Sequence, residues 1–468
     1  MQKNTNRTLL GNIARLAWPT ILEQVLSTLV SYVDTAMVGS LGAAASASVG
    51  ATMTANWMLN GIVMSLGIGF LAFIARSIGA GKPELARRAS AQAVTVAMLG
   101  GAVVTAAALS LAKYVPVWMR VDEDIRDAAA EYFFILYIPM MFRAALMIFG
   151  TVLRAGGDTR TPMVANTAMN LMNVVLNFFL IYETRSVTVL GRSFTVWGAG
   201  QGVRGAAIAS AAAFVLGGVW MTVALYRSKV VSPRGCSYRP DGEILRPCIR
   251  IALPSCAQRL ATSLGYVTFS SMINTLGQVS TAAHSIANTA ESAFYIPGWG
   301  MQTAASTLIG NAAGEGDMKK LKKLARLLLI IEAIVMILSG AALFFGARGL
   351  MDVFTDDAEV ISLGTRVLKM VALSEPLYGV AIIIEGIFNG MGDTFQTFVF
   401  NACCMWGVRI LGTYVFVRRL GGTLISAWAC MIAHNVSLGI LLAIKYMLWK
   451  RKNTEQPDGF GRLSFNKR

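Results

Sequence analysis

The chain alternates long apolar runs with short polar or glycine-rich breaks. A helix needs about 20 apolar residues to cross the hydrocarbon core of a bilayer. Runs of that length fall at 14–38, 50–75, 90–112, 132–153, 161–182, 205–226, 248–273, 281–309, 327–347, 366–388, 396–417 and 422–444. The pattern predicts an all-α integral membrane protein of twelve transmembrane helices. The first run, from Leu9 past Val30, contains Pro19 and Glu23 and no small-residue cleavage site, so it is expected to stay as the first span rather than leave as a signal peptide.

Composition agrees: 55% of residues are apolar, 14% are charged and the mean hydropathy is +0.57. Soluble domains carry roughly one-quarter charged residues, so the solvent for most of this chain is lipid. The formal net charge of +16 raises nucleic acid as a partner, until its location is considered. With the N-terminus placed inside, lysine and arginine concentrate in the inner segments, with one cluster at Lys319, Lys320, Lys322 and Lys323 and another at Arg227, Arg234, Arg239 and Arg246. That is the positive-inside bias, and it places both termini in the cytoplasm. Topology therefore accounts for the charge, and no nucleic acid is expected.

The two halves repeat at an offset of 235 residues. Arg15, Ala17, Pro19, Leu41 and Gly42 meet Arg250, Ala252, Pro254, Leu276 and Gly277; Gly79 and Gly81 meet Gly314 and Gly316; Gly157-Asp158-Thr159 meets Gly392-Asp393-Thr394; Asn166 meets Asn401. Chance does not hold one offset over so long a stretch. Six spans per half is an even number, so both halves enter the bilayer from the same side and are related by a pseudo-twofold axis along the membrane normal. The expected domains are an N-terminal six-helix lobe at 1–227, a cytoplasmic linker at 228–247 rich in proline, glycine and arginine, a C-terminal six-helix lobe at 248–445 and a cytoplasmic tail at 446–468. Duplicated bundles of this kind place a substrate cavity at their interface and work by alternating access.

Asp34 is the most informative single residue. A carboxylate near mid-span costs several kcal/mol unless it is paired, protonated or wetted, and such residues are functional by default. The competing reading is a polar contact that holds neighbouring helices together. Asn173 and Asn177 lie four apart, on one face of the fifth span, and Ser210 follows Gly205-Ala206-Ala207-Ile208-Ala209 on the sixth. In the second half Glu291, Glu375 and Glu385 are acids within spans; either they line the cavity and attract cationic substrates, or Arg143, Arg259 and Arg409 pair with them as buried ion pairs. Glu23 and Glu332 receive no role, because both are read as lying near an interface.

Several chemistries drop out. Gly79-Ala80-Gly81-Lys82 has Arg76 where a phosphate loop needs its first glycine and Pro83 where Ser or Thr should follow, so no nucleotide is expected. The six cysteines have no C-x-x-C spacing, and His284 and His434 are too few for a His-rich metal centre. No His, Cys or Ser-Lys set suggests a membrane enzyme. Glycine and Asp or Thr in the Gly-Asp-Thr motifs suit a helix end and the cap of the next helix.

At this point the residues resemble a family. Val33-Asp34-Thr35-Ala36-Met37-Val38-Gly39, Ala282-Ala283-His284, Glu291-Ser292, Ile296-Pro297-Gly298, Gly310-Asn311, Gly314-Glu315-Gly316-Asp317, and the loops Leu153 to Thr159 and Phe388 to Thr394 resemble the multidrug and toxic compound extrusion (MATE) family, with Glu291 suggesting the DinF-like branch. The resemblance implies two six-helix lobes in the cell membrane and export of small organic cations against inward flow of protons or sodium, with no other cofactor. It implies a cation site in the N-terminal lobe at Asp34, Asn173, Asn177 and Ser210. The position of Asn177 is often a second Asp in that family, so Asp34 here is left to be neutralised by a single proton or sodium ion, with asparagine carbonyls and a hydroxyl as the neutral oxygens a hard cation prefers. Cation sites that some members carry in the other lobe have counterparts here at Thr262 and Tyr378. A flippase for a lipid-linked or amphiphilic substrate is the alternative, and a cationic cavity would favour it.

Overall fold

The computed structural model describes residues 6–119, 121–189 and 192–455, so the expected tail lies outside the described residues from 456 on. In the first half, helices α1 (Asn6–Gly39), α2 (Ala43–Gly79) and α3 (Pro83–Leu111) are followed by the short α4 (Tyr114–Trp118), α5 (Glu123–Tyr137), α6 (Met140–Ala155) and α7 (Arg160–Leu180). A hairpin of β1 (Glu183–Val189) and β2 (Arg192–Ala199) precedes α8 (Gly202–Arg227). The second half has α9 (Gly242–Asn274), α10 (Gln278–Glu315), α11 (Met318–Asp352), α12 (Ala358–Ala372) and α13 (Glu375–Met391). Its last elements are α14 (Phe395–Cys403), which runs on through α15 (Leu411–Thr413) to Arg419 with two π-helical stretches, and α16 (Leu424–Glu455).

Among the described residues eight helices are long and apolar enough to cross a membrane, or ten if the pairs α5–α6 and α12–α13, each bent by 53°, count as one span apiece. Pro139 sits at the first bend and Pro376 just after the second, where proline removes a backbone donor and breaks the helical ladder. The long helices α9 and α10 fall outside the apolar set. Arg250, Gln258 and Arg259 on the one, and His284, Glu291, Gln302 and Asn311 on the other, lower their hydropathy.

The sequence repeat is visible in the backbone. Gly42, Gly81 and Gly157 have positive φ, and so do Gly277, Gly316 and Gly392, their partners at the offset of 235. The Gly-Asp-Thr turns diverge in detail: Asp158 accepts from the Thr161 N–H at 3.0 Å and its hydroxyl at 2.6 Å, capping α7, whereas Asp393 pairs with Lys445 of α16 at 2.9 Å.

Packing groups the chain into two compact units, one of residues 25–70 and 87–245, the other of residues up to 24, 71–86 and 246 onward. Thus α1 and α2 are unbroken helices whose two ends pack in different units. In the second unit Leu9, Ile13, Leu16 and Ala17 of α1 share a core with Met301, Leu308 and Ile309 of α10 and Leu324 and Leu328 of α11. In the first, side chains of α3 hold the linker by its backbone: Arg87 donates to the Ser232 and Arg234 carbonyls, Gln92 to Arg239, and Thr95 to Tyr238, while Arg88 meets Asp241 at 2.6 Å. The hairpin is an addition to the helical pattern. It pairs antiparallel with Val187 opposite Phe194 and Val189 opposite Arg192, and its β-branched residues suit that conformation.

Candidate functional site

The four residues singled out in the N-terminal half come together. Asp34 is half-buried on α1, Asn173 and Asn177 are buried on one face of α7, and Ser210 is on α8. Small residues let α8 approach: a Cβ on Gly205 would overlap the Leu180 carbonyl. Asn177 Nδ2 donates to Asp34 Oδ1 at 2.8 Å. With the Asn173 amide turned so that each atom meets a complementary partner, its nitrogen donates to both Asp34 oxygens, at 2.9 and 2.8 Å. Its oxygen then accepts from the Ser210 N–H at 3.2 Å and hydroxyl at 3.0 Å.

Two amide donors facing one carboxylate is an arrangement that stabilises negative charge. Asn177 Oδ1 remains buried without a protein partner among the described residues. A proton on Asp34 therefore has an acceptor one amide turn away. A metal cation needs both amides turned so that oxygen rather than nitrogen faces it.

Sequence reasoning passed over a second polar group in the same unit. Asn56 Oδ1 accepts from Tyr137 Oη at 2.8 Å and from Arg143 Nη1 at 3.1 Å, and the guanidinium lies 4.3 Å over the Phe214 ring. Arg143 thus has a neutral oxygen and a ring as partners instead of an acid. The repeat held the signal, because Asn56 stands at the position of Glu291 in the second half. Beyond the Asp34 group, Tyr182 Oη lies 2.9 Å from Ser40 Oγ, and Arg185 of the hairpin stacks 3.8 Å over the Tyr182 ring.

The acids of the second half do not form one cluster. Glu291 on α10 is one turn from Tyr295, Glu375 on α13 is one turn from Tyr378, and the two tyrosine rings meet edge-on at 5.8 Å, so these two faces adjoin. Glu385 lies almost three turns further along α13 and accepts from Gln258 Nε2 at 2.8 Å. Of the two readings for these acids, the ion pairs with Arg143, Arg259 and Arg409 are not formed within 4.0 Å among the described residues. Arg409, 2% exposed in the π-helical stretch Cys404–Ile410, instead stacks 4.7 Å over Tyr266 and 4.1 Å over Phe269, with Nε and Nη2 unpartnered. Thr262, the counterpart of an acid elsewhere, donates to Asn401 Oδ1 at 3.0 Å. Glu332, given no role from the sequence, is enclosed. It is 1% exposed, neither carboxyl oxygen has a partner among the described residues, and its Oε1 lies where a Cβ on Gly298 would stand 2.6 Å from it.

A duplicated set of apolar helices with polar groups gathered inside is the architecture of a multi-pass membrane transporter. The MatE family model matches residues 19–179 and again 254–415, and the chain belongs to that family, whose members are transporters rather than enzymes. The two matches begin 235 residues apart, at the offset of the repeat. The probable multidrug resistance protein NorM of Thermotoga maritima is 24% identical over 94% of this chain and 92% of its own length. Multidrug resistance protein MdtK of Edwardsiella ictaluri is 24% identical over 94% and 96%. Among solved structures, a MATE protein in the bent conformation superposes with a TM-score of 0.85 at 21% identity, covering 96% of this chain and 97% of that one. A MOP superfamily transporter from Pyrococcus furiosus, described as having a binding pocket of reversed polarity, gives 0.84 at 22% identity over 95% and 96%.

Proposed function

We propose that this protein is an antiporter that exports organic, mainly cationic, compounds by alternating access, driven by inward flow of protons or sodium. The observation that carries this reading is the gathering of Asn173, Asn177 and Ser210 about the carboxylate of Asp34 in the first span. A carboxylate served by rotatable amides can take up and release a cation without breaking a helix, as an exchange cycle requires. The multidrug-resistance names of the relatives point the same way. Glu291, Glu375 and Glu385 serve in the substrate cavity, supplying negative charge for a cationic substrate. Twelve crossings of the cell membrane, with α9 and α10 completing the apolar set, and both termini in the cytoplasm complete the picture; membrane lipid is the other partner.

The deciding experiment is substrate efflux from proteoliposomes under separately imposed proton and sodium gradients. Efflux of an organic cation is expected under one of them and not without a gradient. Lipid flipping without gradient-driven efflux would instead support the second reading, a flippase for a lipid-linked or amphiphilic substrate. The buried Arg143 and Arg409, neither in an ion pair within 4.0 Å among the described residues, are the feature that favours it.

Orientation has its own test. In a cysteine-free background, Arg239→Cys in the linker is expected to stay unlabelled by an impermeant thiol reagent in intact cells and to react after permeabilisation. Labelling from outside would reverse the topology.

A further inference from the structure

The helices of the two halves begin in one register. Helices α2, α3 and α6 start at Ala43, Pro83 and Met140, and α10, α11 and α13 start at Gln278, Met318 and Glu375, each at the offset of 235. Contacts inside each half follow it. A Cβ on Gly101 of α3 would stand 3.4 Å from the Cβ of Ala144 of α6, and at the matching positions a Cβ on Gly379 of α13 would overlap Met336 Cγ of α11. A glycine facing an alanine in the first half has become a methionine facing a glycine in the second.

One turn before Met336 the same register holds a larger exchange. Val63, Ala97 and Ala144 are buried in the first half, and their counterparts are Gly298, Glu332 and Gly379. Two alkyl side chains have shrunk to glycine while an alanine has grown to a glutamate. Glu332 Oε1 would lie 2.6 Å from a Cβ on Gly298, and its Cγ 3.4 Å from a Cβ on Gly379. Since the first half fills these positions with alkyl groups alone, helix packing does not require the acid.

The surroundings decide which form of the acid fits. Glu332 is 1% exposed, and neither of its oxygens has a partner among the described residues. A carboxylate enclosed without a donor or a cation costs far more than the neutral acid. Helix α10 brings Glu291 and Tyr295 within two turns of Gly298, and α13 brings Glu375 and Tyr378 within about a turn of Gly379; no donor among them reaches Glu332. A metal cation needs several oxygens around it, and no group of three or more His, Cys, Asp or Glu able to hold one is found among the described residues. A lone enclosed carboxyl suits a proton.

We propose that Glu332 is a proton-binding site of the second half, distinct from Asp34, whose proton is lost and regained as α10, α11 and α13 repack during transport. Its place in the cycle rests on the antiport reading given above. With the proton on, the three helices close around the acid; with it off, the carboxylate needs water and the packing must open. Ser339 Oγ of α11 donates to the Phe294 carbonyl of α10 at 2.7 Å and ties the two helices beyond the acid. Pro297, beside Gly298, removes one hydrogen bond from α10 at this level, so the helix bends there at least cost. The site switches packing, and the cation exchanged for substrate remains the one at Asp34.

Two variants remove the acid without emptying its place: Glu332→Gln, of the same size, and Glu332→Ala combined with Gly298→Val, which installs the residues of the first half. Both are expected to match wild type in expression and thermal unfolding. In infrared spectra of the purified protein in lipid vesicles, wild type is expected to show a protonated-carboxyl band at neutral pH that both variants lack, and the band is expected to fade reversibly as the pH is raised. Gradient-driven efflux from proteoliposomes is expected to fall at least tenfold in both variants, with Glu332→Asp regaining part of it. A band missing from wild type, or unchanged at every pH at which the protein stays folded, would overturn the site, as would efflux in both variants within twofold of wild type. If the antiport reading alone is wrong, no gradient drives efflux in wild type either, while the band still appears and still titrates.

Discussion

Asp34→Asn is expected to reduce gradient-driven efflux by the purified, reconstituted protein to the level of empty vesicles, with expression and thermal stability close to wild type. Asparagine keeps the shape of the side chain and one oxygen that accepts from Asn177, so the packing of α1 against α7 survives. It cannot ionise, and it cannot neutralise a bound cation. Were Asp34 only a link between helices, the change would alter a contact worth about 1 kcal/mol, and transport would fall little. The two readings therefore differ by the whole of the coupled flux. Full retention of coupling in this variant, measured beside wild type, would remove Asp34 from the mechanism.

Helix geometry alone puts Asn173 and Asn177 on one face, and a polar residue in a long apolar run is conspicuous; that they and Ser210 lie beside Asp34 is what the family resemblance implied. The 235-residue offset was legible for a related reason: the glycines that define it, Gly42, Gly81 and Gly157 with their partners, hold backbone conformations that side chains resist. What the sequence hid was which helix faces meet. The place of Glu332 in its run suggested no role, yet it is enclosed, with its carboxyl against Gly298 of α10, which leaves room for it. Ion pairs of Arg143, Arg259 and Arg409 with the acids were one of two readings; Arg143 instead meets Asn56 and the Phe214 ring, and Arg409 lies over Tyr266 and Phe269, contacts that no single-chain pattern foretells. The π-helical stretches around Arg409 likewise leave no periodic signature, since one extra residue per turn shifts a face without changing composition.

Asn177→Asp is expected to change the number of cations moved per substrate. Asn177 Nδ2 now lies 2.8 Å from Asp34 Oδ1, so the substitution places two carboxylates at hydrogen-bond distance. Like charges that close cannot both stand ionised without a cation between them. In the proposed cycle one carboxylate is neutralised per substrate, with the amide donors of Asn173 and Asn177 holding its charge in the interval. In the variant the donor at position 177 is lost and a second negative charge must be balanced. Two cations per substrate, or one cation retained permanently at the site, are the stable outcomes. The first doubles the cation flux that accompanies each substrate; the second, with its cation never released, takes that flux to zero. Flux ratios measured in proteoliposomes, with proton and sodium gradients varied in turn, separate these outcomes from a third. If Asn177→Asp transports with native stoichiometry and native cation dependence, then the carboxylate at position 34 does not exchange its cation beside residue 177, and the site must be sought among the acids of the second half.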